Sequence, residues 1–105
     1  MIIDSLQAPY YAVIFSTLLS DNLEGYEKTA FRMEELAKQQ PGYLGIESAR
    51  NEVGITVSYW ESLDAIVLWK NNIEHTEARE KGRGTWYKKY QLRICKVERE
   101  YGFEQ

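Results

Sequence analysis

The segment Tyr11–Leu18 restricts the fold of this chain more than any other, because it is rich in aromatic and β-branched residues and apolar on both of its alternating faces. Pro9 precedes it and Ser20-Asp21-Asn22 follows it, so it reads as a strand. Tyr11, Val13 and Phe15 fall on one side, Ala12, Ile14 and Leu18 on the other. Such a strand must be covered twice. Any architecture that leaves one face of its sheet in water is therefore disfavoured.

A helical segment follows. Leu23, Tyr26, Ala30, Met33 and Ala37 recur at spacings of three and four, with Glu24, Glu27, Lys28, Arg32, Glu34, Glu35 and Lys38 on the outer side and Pro41-Gly42 as a stop. Tyr43–Arg50 and Ile55–Trp60 flank Asn51-Glu52-Val53-Gly54, which predicts an antiparallel hairpin. Ser62 caps a next helix carrying Leu63, Ile66, Val67 and Trp69, with Asp64 in its first turn. Asn71-Asn72 weakens that helix, because asparagine competes with the backbone for hydrogen bonds. A short second helix is expected over Ile73–Lys81, ended by Gly82 and Gly84. Thr85–Tyr90 fits neither period, and Gln91–Tyr101 reads as a last strand.

Strand, helix, strand, strand, helical region, strand is the split βαβ order of an α+β ferredoxin-like fold, with helices on one face of a four-stranded antiparallel sheet. A chain of 105 residues supports one core, so the expectation is a single domain over 1–105, with 1–9 an N-terminal extension and 10–103 the body. The second sheet face is also apolar. That leads to a homodimer in which two sheets pack face to face, because a monomer would expose too large an apolar patch.

Charge and cysteine content exclude several function classes. A net charge of -3 gives no basic face for nucleic acid or an anionic membrane. Lys81, Arg83, Lys88 and Lys89 cluster, but Glu77 and Glu80 beside them make a solvated face the expectation. Cys95 is the sole cysteine, so neither an intramolecular disulfide nor a cysteine metal site can form within one chain. Without a signal peptide or a run of about 20 apolar residues, the expected location is the cytoplasm.

The chemistry-bearing residues gather after the hairpin. His75, the only histidine, is the first candidate for acid-base work, and on one helix Asn72, His75 and Arg79 share a face able to hold a polar or anionic group. Metal ligation is disfavoured, since no carboxylate or second histidine lies at ligand spacing. Trp69 precedes His75 by six residues, which on an unbroken helix sets the two about 120° apart. Only a bend at Asn71-Asn72 would bring them together. Trp60, Tyr59, Trp86, Tyr87 and Tyr90 can line a cavity between sheet and helices, although such residues equally make core. No glycine-rich nucleotide loop or nucleophile elbow is present, and Cys95 has the setting of an inert thiol.

Four motifs, Pro41-Gly-Tyr-Leu-Gly-Ile-Glu47, Ile55-Thr-Val-Ser-Tyr-Trp60, Trp69-Lys-Asn-Asn-Ile-Glu-His75 and Trp86-Tyr87, together resemble the antibiotic biosynthesis monooxygenase (ABM) family of the dimeric α+β barrel superfamily. The resemblance covers about Tyr10 to Phe103. It implies a homodimeric barrel with a pocket in each subunit, and a cofactor-independent monooxygenase acting on a small aromatic, polyketide-like or quinol compound. Metal, flavin and other cofactors are not expected. In that role Trp69 walls the pocket, Asn72 orients a substrate oxygen and His75 moves a proton, with Trp60, Tyr59, Arg79, Trp86 and Tyr87 around the substrate. Haem degradation is disfavoured: the axial histidine of haem-degrading members is replaced here by Arg79, and the first strand lacks their asparagine. The alternative is a non-catalytic small-molecule-binding or stress-related barrel.

Overall fold

The computed structural model describes residues 2–105 apart from the side chain of Ile73, so Met1, the first residue of the expected extension, lies outside the described residues. Four strands, β1 (Tyr10–Leu19), β2 (Tyr43–Arg50), β3 (Gly54–Trp60) and β4 (Tyr87–Val97), form one antiparallel sheet in the order β2-β3-β1-β4. Three helices, α1 (Tyr26–Ala37), α2 (Leu63–Lys70) and α3 (Ile73–Lys81), complete the ferredoxin-like α+β fold, and a π-helical turn over Gly82–Trp86 leads into β4.

β1 is central and apolar on both faces, as its sequence requires. On the helix side Tyr11 and Val13 pack against a core of Ala37, Trp60, Ala65 and Ile66, and the Trp60 side chain is fully buried. On the other side Tyr10 and Ala12 are buried as well. Part of that second face is covered by the chain's own ends. The Ile3 side chain lies over Gly45 so closely that a Cβ there would meet it at 2.9 Å. The Ile3 N–H donates to Glu47 at 3.0 Å, and the Tyr10 hydroxyl donates to Glu100 at 2.9 Å. The side chain of Ile55 remains 45% exposed on this face.

Two elements, α1 and β4, differ in extent from the sequence reading by more than one residue, each for a physical reason. α1 starts at Tyr26 behind a left-handed Gly25, so Leu23 stays outside it and is exposed, and Ala30 points outward. The inward stripe is Tyr26, Thr29, Met33 and Ala37. β4 begins at Tyr87 and ends at Val97, earlier at both ends than Gln91–Tyr101. Among the described residues its only partner is β1, which starts at Tyr10 after a proline without an N–H, so the last pair is Tyr10 with Val97. Residues 98–105 have no ladder to join.

Gly42 sets the angle between the α1 exit and α2. Its φ is +83°, its carbonyl accepts from the Glu61 N–H at 2.8 Å, and a Cβ would lie 2.6 Å from the Ala65 Cβ. Both the left-handed backbone and the contact exclude a side chain. Gly42→Ala is therefore expected to lose about 1–3 kcal/mol of stability in urea unfolding, with an unchanged m-value.

Candidate functional site

The break between α2 and α3 builds the site. α2 ends with Asn71 as its C-cap, and Asn72 turns to extended backbone (φ -60°, ψ 131°) as the N-cap of α3, its side-chain oxygen accepting from the His75 N–H at 3.1 Å. The bend folds His75 back over Trp69. Their rings stack with centroids 4.2 Å apart and planes 8° from parallel, and Trp69 in turn stacks on Trp60 at 6.2 Å and 24°. Three aromatic rings thus form one pile running from the sheet into the helix layer. Its base is anchored where the Trp60 indole N–H donates to Ser58 at 2.9 Å.

The pile fixes the state of the imidazole. His75 Nδ1 lies 2.9 Å from the Trp69 carbonyl oxygen. A carbonyl only accepts, so Nδ1 carries the proton and the Nε2 lone pair is the one left for chemistry. Burial pushes the His75 pKa below its ordinary value; the bond to the Trp69 carbonyl works against this, and the charge of Arg79 adds to the lowering. Arg79 brings a second unusual group, a buried Nε with no hydrogen-bond partner among the described residues. A neutral base beside a cation with an unmet donor suits a ligand that gives up a proton and becomes anionic.

The other expected site residues divide. Trp60 is the base of the pile and part of the core. Asn72 uses its side-chain oxygen as a helix cap, so its amide N–H₂ is the part of the side chain left to meet a substrate oxygen. Tyr59 stands apart from the pile. It lies on the opposite sheet face, edge-on to Tyr10 at 5.8 Å and donating to Glu47 at 2.6 Å. Its pKa is raised by burial and then by that carboxylate, while the Glu47 carboxyl is lowered by the same bond and by the Ile3 N–H. Strand alternation carried this signal, since neighbours in a strand point to opposite faces.

Trp86 and Tyr87 lie at the far end of β1. The Trp86 N–H donates to the Glu24 carbonyl at 2.9 Å, and its ring meets Tyr26 at 5.7 Å. Tyr87 packs edge-on against Phe15 at 5.5 Å, and burial raises its pKa. Trp86 also reaches a cleft of about 310 Å³ between α1 and α3, walled by Lys28, Thr29, Arg32 and Met33 from α1 and by Glu74, Glu77, Ala78 and Lys81 from α3. The sequence reading assigned none of these eight to a site. Each set is spaced at three and four, but nothing local says that the two stripes face each other.

The model of the antibiotic biosynthesis monooxygenase family matches residues 9–81. The chain belongs to that family. It is 52% identical over 101 residues to the uncharacterized protein YqjZ of Bacillus subtilis, covering 94% of this chain and 89% of that protein. Among solved structures the ABM chain is similar in fold to SnoaB, a cofactor-independent oxygenase from Streptomyces nogalater, with a TM-score of 0.75 and 11% identity over 89% of this chain and 97% of that one. Rv0793 of Mycobacterium tuberculosis gives a TM-score of 0.77 and 10% identity over 89% and 99% of the two chains. No described helix is long and apolar enough to cross a membrane, and no group of three or more metal-ligating side chains occurs among the described residues.

Because the folded state lowers the His75 pKa, the unfolded chain takes up a proton first as pH falls. The stability that neutral His75 contributes is complete above pH 6.5 and declines as pH drops from there toward the lowered folded value. Glu47 acts in a separate window, below its ordinary 4.5. Urea unfolding between pH 7.5 and 5 should show falling stability in the wild type and a flatter profile in His75→Leu.

Proposed function

We propose that this ABM protein is a monooxygenase-type oxidoreductase, working in the cytoplasm as a homodimer on a small aromatic, polyketide-like or quinol compound, without metal or flavin. The observation that carries the reading is the neutral His75, pinned through Nδ1 and stacked on Trp69 beside the unpartnered Nε of Arg79. Family membership and the fold shared with a cofactor-independent oxygenase support it.

For a substrate with an activated methylene, His75 Nε2 accepts one proton and Arg79 receives the negative charge delocalised onto the substrate oxygen. The carbanion passes one electron to dioxygen, and the resulting superoxide and substrate radical join through a new C–O bond. The imidazolium returns its proton to the distal peroxide oxygen. Loss of the second C–H proton with O–O cleavage then releases a ketone and water, so that R₂CH₂ + O₂ gives R₂C=O + H₂O. Trp69 backs the imidazole and holds its orientation, and Trp60 packs against Trp69.

A non-catalytic ligand-binding role is favoured by one observation. The Trp60–Trp69–His75 pile is packed like core, with no gap for a flat ligand between its rings. Oxygen uptake with a panel of anthrones, quinols and polyketide-like phenols separates the two readings. The monooxygenase reading expects one dioxygen consumed per ketone formed, and a loss of about a hundredfold or more in His75→Ala. Uptake unchanged in a His75→Ala, Trp69→Ala double variant would sink it. Absence of uptake with every compound, alongside ligand-induced thermal stabilisation, would support the binding role.

A further inference from the structure

The α1–α3 cleft uses a different flank of α3 from the His75 pile. His75 and Arg79 share one side of the helix, whereas Glu74, Ala78 and Lys81 lie roughly 100° around its axis. The cleft volume of about 310 Å³ falls at the lower end for small-molecule sites, and Met33, Ala78 and Trp86 give it an apolar floor.

Its charge runs against that of the molecule. Arg32 is already satisfied by a two-point ion pair with Glu74, each contact 3.2 Å, which ties α1 to α3 across the opening. Among the described residues neither Lys28 nor Lys81 makes an ion pair, and the Lys81 ammonium stands 5.7 Å over the Trp86 ring. Two lysines against Glu77 leave the cleft with a surplus positive charge in a chain whose net charge is -3. The lysines at the rim and the apolar floor between them present two features that one ligand can satisfy together.

We propose that this cleft is a second binding site, separate from the His75 site, for a small amphipathic organic anion with a flat apolar body and one acidic group. The body covers Met33 and Ala78 toward Trp86, while the acidic group lies between Lys28 and Lys81. The site is independent of the proposed oxygenation and of any proton transfer at His75.

The probe is 2-naphthoate, with 2-naphthalenemethanol as its uncharged counterpart, titrated into protein carrying ¹³C-methyl methionine. Met33 is the single methionine besides Met1, and its methyl signal is assigned with Met33→Leu. Naphthoate is expected to move the Met33 methyl saturably and leave the His75 ring signals in place. Lys28→Gln with Lys81→Gln should weaken it about fivefold, and the alcohol should bind the wild type more weakly by a similar factor. Both lysines are exposed, so the double variant should fold, which its unfolding curve checks. No saturable Met33 shift, equal binding of acid and alcohol, unchanged affinity in the double variant, or His75 signals moving with the same midpoint would each overturn the proposal.

Discussion

The ring pile that rises from Trp60 through Trp69 to His75 fixes the helix layer of this domain. Trp60 is fully buried on the helix face of β3, and everything above it is positioned by contact. α2 must present Trp69 to that indole, and α3 must then reverse enough to lay an imidazole on the Trp69 ring. The reversal is a local event, since Asn72 leaves helical geometry and caps the next helix with its side chain. Capping of this kind contributes about 1 kcal/mol, but here it also decides which residues meet.

The sheet imposes a second constraint. β1 is buried on both faces, yet the two faces are covered differently, by helices on one side and partly by residues near the chain's own ends on the other. Tyr10 and Tyr59, each donating to a carboxylate, line the second face, which keeps them apart from the imidazole. On the helix side His75 and Arg79 lie among aromatic rings, with the charged cleft on the other flank of α3.

Much of the fold was legible in the residues. β2 and α3 have the bounds their patterns indicate, because the hairpin turn, the Asn71-Asn72 break and the Gly82 stop are local signals. β4 was less legible. Gly82, Gly84 and Thr85 carry weak propensities, and the strand starts where β1, some 70 residues earlier, offers a partner. The site divides the same way. The six-residue spacing of Trp69 and His75 stated the condition for contact, a bend, but the pattern did not give the extended backbone of Asn72 that makes it. The Tyr59 placement was available from alternation alone. The cleft between Lys28 and Lys81 was not, since it exists only through the pairing of two distant helix faces.

The most direct test of the pile is long-range ¹H–¹⁵N NMR of the imidazole, unambiguous because His75 is the only histidine. A neutral ring protonated at Nδ1, titrating below 6.5, is expected, with ring protons shifted upfield by the Trp69 face and restored toward ordinary positions in Trp69→Leu. A ring protonated at Nε2, titrating at or above 6.5 with ring-proton shifts indifferent to Trp69, would contradict it.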